Sequence, residues 1–153
     1  MKKLIYLAAI AVFGLSSCKS SRNATDAGKK NSLTETYWKL TELNGKPVGA
    51  GGEDRREVYI ILRNAEQRVQ GNAGCNGYGG NYILDPNGFN LKFSGLMHTQ
   101  MACPGLDIEI EYLKALEMTD SYYVKDGTLQ LNRGRMAPLA KFTAVAGKAE
   151  SLQ

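Results

Sequence analysis

Residue types that carry catalysis are scarce in this 153-residue sequence. His98 is the single histidine and no Gly-x-Ser-x-Gly nucleophile elbow occurs, which excludes a Ser-His-Asp hydrolase. The glycines of residues 71–80 lack the Lys-Ser/Thr pair of a phosphate-binding loop, and no Cys-x-x-Cys pair is present. The sequence therefore predicts a protein that is not an enzyme, with no cofactor and no metal.

A strong charge of either sign is lacking as well. The formal net charge is +4, and removal of residues 1–17, which hold two lysines and no acidic residue, leaves +2. The tight basic pairs at residues 55–56 and 133–135 lie beside predicted turns, where solvated charge is usual. Nucleic-acid binding needs basic residues clustered on one face, so we expect no nucleic-acid partner.

The N-terminal region has the pattern of a bacterial lipoprotein signal. Two lysines precede an apolar run at residues 4–15 that is too short to span a bilayer as a helix. Leu15-Ser16-Ser17-Cys18 then matches a lipobox, which predicts cleavage of a signal peptide (residues 1–17) and acylation of Cys18 with diacylglycerol and palmitate. The alternative is an ordinary secretory signal with an incidental cysteine. We expect a lipid-anchored protein of the cell envelope, held off the membrane by a flexible polar tether at residues 18–32.

The rest of the chain alternates between strand and turn patterns, with one helical segment after Gly105. A run of antiparallel strands interrupted by one helix predicts the α+β class. The single tryptophan, Trp38, is expected in the core, and Glu109 is expected to face the helix end or solvent. The predicted strands are residues 37–43, 58–62, 67–71, 81–84, 89–93, 121–125, 128–131 and 139–145, followed by a disordered tail at 147–153.

Two cysteines flank the glycine-rich part of the chain. Five of the ten residues from Gly71 to Gly80 are glycine, which predicts a shaped turn between strands. Cys75 lies in this turn and Cys103 precedes the helix, so we expect them to be neighbours in space. An exported domain with two cysteines favours a disulfide, and two reduced thiols facing each other in the core are the alternative.

Three motifs in this region resemble the META domain of HslJ-like bacterial envelope lipoproteins: Gly74-Cys75-Asn76, Gly80-Asn81-Tyr82 and Thr99-Gln100-Met101-Ala102-Cys103, together with Tyr37-Trp38-Lys39-Leu40 and Asn44-Gly45 upstream. The resemblance implies a META-like domain at residues 33–146, a strongly curved antiparallel sheet (a partly closed barrel) with one helix packed against it. It also implies an outer-membrane protein that acts in envelope stress or antibiotic tolerance by binding an unknown envelope protein or small ligand. The residues that carry it are Trp38, Gly74, Asn76, Gly80, Tyr82, Thr99 and Met101.

Two other functions remain open. A lipid or small-molecule carrier would use the barrel mouth, with Tyr78 and Tyr82 at its entrance. A soft-metal (copper) or thiol redox protein would use Met97, His98, Met101 and Cys103, with Cys75 as a further candidate ligand. Against the metal site, Met97, Thr99 and Met101 would fill one strand face while His98 points outward.

Overall fold

The computed structural model describes residues 32–49, 56–85, 88–103 and 106–152. The predicted signal peptide, Cys18 and the tether up to residue 31 lie outside the described residues. Within the described ranges the chain forms nine strands, one α-helix and two short 3₁₀ helices, Ala65–Gln67 and Glu150–Leu152. The other elements are β1 (Tyr37–Leu43), β2 (Lys46–Pro47), β3 (Tyr59–Arg63), β4 (Arg68–Asn72), β5 (Gly77–Leu84), β6 (Leu91–His98), α1 (Leu106–Met118), β7 (Ser121–Lys125), β8 (Thr128–Asn132) and β9 (Ala140–Val145).

All strands belong to one antiparallel sheet in the order β6-β5-β4-β3-β1-β9-β8-β7, with β2 paired to β1. The sheet curls so far that its two end strands, β6 and β7, come close together at one end. There Asn90 forms a bridge with Ser121, and the Leu91 amide donates to the Asp120 carbonyl at 3.1 Å. The predicted α+β fold, a partly closed barrel with one helix, is confirmed.

The core lies between the inner face of the sheet and α1. Trp38 is fully buried, as predicted, and its indole Nε1 donates to the Leu33 carbonyl at 2.9 Å. Tyr112 of α1 meets the Phe142 ring edge-on, with 6.3 Å between centroids. A bulge in β1 between Leu40 and Glu42 shifts the alternation, so Leu43 points inward like Trp38 and Leu40.

Two strands are longer than predicted. β5 begins at Gly77, four residues before the predicted start, and β6 extends to His98 instead of ending at Phe93. Glycine has no side chain to show a strand pattern, so the first half of β5 looked like a turn. The turn between β4 and β5 therefore covers only residues 73–76.

The C-terminal segment, residues 146–152, packs on the outer face of the sheet. Ala149 is buried against Tyr37 and Ile61, and the Arg63 guanidinium donates to the Ala149 carbonyl at 2.9 Å. Lys148 pairs with Glu57 at 2.6 Å. Residues 147–152, expected to be a disordered tail, instead form a turn and a 3₁₀ helix.

Candidate functional site at the disulfide-linked corner

Cys75 and Cys103 form a disulfide, with 5.9 Å between their Cα atoms. The bond joins the turn between β4 and β5 to the segment that leads from β6 into α1. Cys75 is buried. In this form neither sulfur is a thiolate, which a reactive thiol or a copper site would require. We call the region formed by residues 73–76, 98–103 and the first turn of α1 the corner.

Asn76 connects the three segments of the corner. Its backbone amide donates to Glu109 Oε2 at 2.8 Å, and its side-chain Nδ2 donates to Glu109 Oε1 at 2.9 Å. Its Oδ1 accepts from the Thr99 hydroxyl and from the Met101 amide, both at 2.8 Å. Asn76 is 1% exposed, so these bonds form away from water, where an unmade bond is expensive. The asparagine of the motif therefore holds the corner together.

Glu109 faces this network and not the solvent, so the sequence expectation for it was wrong. It is 2% exposed, and both carboxylate oxygens accept hydrogen bonds from Asn76. The residue lies on the inward side of the first turn of α1, where it meets the turn between β4 and β5. The burial is possible because Asn76, which is distant in sequence, donates hydrogen bonds to the carboxylate. The helical pattern of the sequence does not reveal these donors.

His98 borders the buried carboxylate at the protein surface. Its Nδ1 lies 3.0 Å from the Thr99 carbonyl and 3.4 Å from Glu109 Oε1. Both neighbours are acceptors, which favours the tautomer with the proton on Nδ1. Nε2 has no hydrogen-bond partner among the described residues. A carboxylate that orients a histidine is part of many catalytic sites, but the nearby Thr99 hydroxyl already donates to Asn76.

The corner does not assemble the soft ligands proposed for copper. Met97 is paired with Gly79 and His98 with Tyr78, so the two side chains leave opposite faces of the sheet. The described residues contain no group of three or more His, Cys, Asp or Glu side chains placed to hold a metal ion. The competing expectation of a methionine-filled strand face was also wrong, because β6 ends at His98 and both Met97 and Met101 are exposed.

The remaining motif residues have structural roles. Gly74 has φ of 111°, a left-handed conformation, and its amide donates to Asn72 Oδ1 at 2.8 Å. A Cβ at Gly80 would lie 2.9 Å from Leu96 Cδ2 and 3.0 Å from the Ser94 carbonyl, so only glycine fits there without movement. Met101 contributes its backbone to the network, while its side chain is exposed.

The side chains of Tyr78 and Tyr82 are both buried. The Tyr82 hydroxyl donates to the Arg63 carbonyl at 3.1 Å. The Tyr78 hydroxyl lies 2.7 Å from that of Tyr112 and donates to the Tyr59 carbonyl at 3.3 Å. Burial raises the pKa of the Tyr78 and Tyr112 hydroxyls, which keeps both neutral and able to donate. The entrance expected for a carrier is therefore filled.

The fold and the corner define a small, disulfide-linked α+β half-barrel domain. A model of the META domain family matches residues 31–146, and the chain belongs to this family, as its motifs indicated. An NMR structure of a protein from Burkholderia xenovorans is similar, with a TM-score of 0.59 and 23% identity over 95% of this chain and 99% of that one. A crystal structure of a DUF4847 family protein from Bacteroides vulgatus aligns with a TM-score of 0.44 and 17% identity, over 56% of this chain and 57% of that one.

The structure from Burkholderia xenovorans supports the fold. The comparison with curated proteins finds no match. Among the described residues, α1 is the one α-helix, and no helix is long and apolar enough to cross a membrane.

Proposed function

We propose that this chain is a lipoprotein of the cell envelope, attached to the outer membrane through acyl chains on Cys18. The observation that carries the proposal is Leu15-Ser16-Ser17-Cys18 after a short apolar run. Two or more acyl chains anchor a protein stably, since each buried methylene contributes about 0.8 kcal/mol. The polar residues that follow would let the META domain reach partners close to the membrane.

We further propose that the META domain acts by binding, without catalysis, in envelope stress or antibiotic tolerance. The support for a role without catalysis comes from the corner, where Asn76 donates hydrogen bonds to both carboxylate oxygens of Glu109. Among the described residues, every buried side-chain nitrogen and oxygen has a hydrogen-bond partner. A general acid or base must exchange a proton with its substrate, and Glu109 is enclosed behind Asn76. This arrangement favours a structural role for the corner and a surface elsewhere for the partner, an envelope protein or a small ligand.

The carrier alternative loses support from the same observations. Its entrance was to be lined by Tyr78 and Tyr82, and both are buried with bonded hydroxyls. A ligand in the barrel mouth would have to displace them.

The anchoring is tested by Cys18→Ala in the native host, with Ser17→Ala as a control that keeps a small residue in the lipobox. Wild type and the control should fractionate with the membrane and incorporate labelled palmitate. Cys18→Ala should lose the label and remain uncleaved or become soluble. Membrane fractionation of a labelled Cys18→Ala protein would contradict the proposal.

The role in stress is tested by deleting the gene and complementing the strain. Wild type should restore survival in detergent or in an antibiotic that must cross the envelope, and Cys18→Ala should restore less. A turnover that is lost in His98→Ala without loss of folding would contradict the non-enzymatic function.

A further inference from the structure

We propose that a groove on the outer face of the sheet binds a small anion with a flat apolar body. The groove has a volume of about 490 Å³ and lies over β4, β5 and the end of β6. This volume is within the range of small-molecule sites, about 300–1,000 Å³. The proposal deepens the binding function proposed above by giving it a site and a ligand class, and it rests on that function.

The floor of the groove is formed by Gly77 and Gly79 of β5. Neither glycine is required by the backbone, because neither has positive φ. Neither is required by packing, since a Cβ at Gly79 would lie 3.6 Å from the Val69 carbonyl and one at Gly77 would lie 3.8 Å from the Gly71 carbonyl. These distances are ordinary van der Waals contacts. The physical consequence of glycine at both positions is an open, flat strip of backbone.

The walls come from the neighbouring strands. Gly79 is paired with Gln70 of β4 on one side and with Met97 of β6 on the other, so both side chains flank it on the same face. Met97 is 72% exposed, the largest exposed fraction among the large apolar side chains of the described residues. Its flexible thioether is suited to cover a flat ligand, which would remove this apolar surface from water. Leu152 of the C-terminal segment adds a second apolar side chain.

The charge of the groove selects an anion. Arg68 is the one side chain with a permanent charge among the described residues that line it, and no acidic side chain is among them. Arg68 makes no ion pair within the described part of the chain, and its two cross-strand partners are another arginine, Arg63, and the neutral Asn81. The guanidinium is therefore available to a carboxylate, sulfonate or phosphate at one end of the ligand.

The test uses two probes that share a ring system and differ in charge. The anionic probe is 8-anilino-1-naphthalenesulfonate and the neutral one is N-phenyl-1-naphthylamine. Each is titrated into the ¹⁵N-labelled full chain carrying Cys18→Ser, followed by amide chemical shifts. The anionic probe should shift the amides of Gly77, Gly79 and Met97 saturably, and the neutral probe should bind more weakly. Saturable shifts confined to other residues, or equal affinity for both probes, would overturn the proposal.

Two substitutions and a control sharpen the result. Gly79→Val places a side chain on the floor and should weaken binding of the anionic probe at least about tenfold. Arg68→Gln should weaken it about two- to fivefold, as expected for an exposed ion pair, and leave the neutral probe unchanged. Ile83→Val is the matched control, because Ile83 also lies on the outer face of β5, is 62% exposed and does not line the groove.

Gln70→Glu keeps the proposal testable if Gly79→Val fails to fold. It is nearly isosteric, lies at a partly exposed position and adds a negative charge to the wall. It should weaken binding of the anionic probe about fivefold or more and leave the affinity for the neutral probe unchanged. Unchanged affinity of the anionic probe in both Gln70→Glu and Arg68→Gln would refute the anion preference. None of these measurements involves the membrane anchor, so failed anchoring would leave them valid, and failed probe binding would leave the anchoring result valid.

Discussion

Replacing the side-chain amide of Asn76 with a carboxylate should show how the corner is held together. Asn76→Asp keeps the shape of the side chain and the oxygen that accepts from Thr99 and Met101. It exchanges Nδ2, which donates to Glu109 at 2.9 Å, for a second carboxylate oxygen. Two carboxylates then meet at a position where Asn76 is 1% and Glu109 2% exposed. At neutral pH the folded protein would have to bury two adjacent negative charges.

The expected loss of stability is large. A hydrogen bond to a charged group contributes about 1.5–3 kcal/mol, and an uncompensated buried charge costs about 3–5 kcal/mol. Because the two effects overlap, we expect a decrease of about 4 kcal/mol at pH 7, which is a fall in Tm of more than roughly 10 °C. Like charge raises the folded-state pKa of the carboxyl pair above its unfolded value. The deficit relative to wild type should therefore shrink as the pH falls from 7 to about 4.

Thermal unfolding followed by near-UV circular dichroism at pH 7 and pH 4.5 measures both effects. Asn81→Asp is the matched control, because it makes the same change at an exposed position of β5, where the new carboxylate stays in water. The control should stay within about 1 kcal/mol of wild type at both pH values. An Asn76→Asp protein as stable as wild type at pH 7, or a deficit that does not narrow in acid, would refute this account of the corner.

Three further predictions concern stability. Cys75→Ser with Cys103→Ser opens a loop whose ends are 28 residues apart and should cost roughly 3.5 kcal/mol by chain entropy, seen as a lower Tm; two alkylated thiols in unfolded, unreduced wild type would contradict it. Gly80→Ala should destabilise by about 1–3 kcal/mol through its contacts in β6, while Gly79→Ala should be neutral or stabilising by up to about 1 kcal/mol; similar denaturant midpoints for the two would disprove this contrast. Burial favours a higher pKa for Glu57, but hydrogen bonds from two lysines and a tyrosine lower the pKa to about 2. The ionised Glu57 carboxylate therefore stabilises the folded protein above pH 4.5, and this contribution is lost as the pH falls towards 2. Glu57→Gln should accordingly be less stable than wild type at pH 7 and equal to it near pH 2, and a constant difference in Tm across this range would rule the mechanism out.

The sequence predicted the strands that have side-chain alternation. β7 lies at the predicted residues, and β1 is correct to the residue because Trp38 and Leu40 alternate with polar neighbours. The helix after Gly105 was also predicted, and Tyr112 and Leu116, which are four residues apart on it, both face the core. These features follow from local periodicity, which a single sequence carries directly.

The features that were missed depend on contacts between distant residues. The start of β5 at Gly77 is set by pairing with β4, and glycine has no side chain to signal it. Glu109 is buried because Asn76, 33 residues away in sequence, brings donors to it. The C-terminal segment is ordered by Arg63 and Glu57, which belong to the other end of the domain. In each case the stabilising contact is made with a residue distant in sequence, which a local sequence pattern does not indicate.

The two kinds of glycine in residues 71–80 separate the structural role of the motif from the proposed binding role. Gly74 and Gly80 belong to the motif elements, and backbone conformation or packing accounts for both. Gly79 lies between them in sequence, faces outward and has no such requirement. A substitution in the corner should therefore change the unfolding free energy first, with any loss of binding following from unfolding. A substitution of Gly79, Gln70 or Met97 should change ligand affinity while the disulfide and the Asn76–Glu109 network remain intact, because these side-chain positions point away from the corner and onto the outer face.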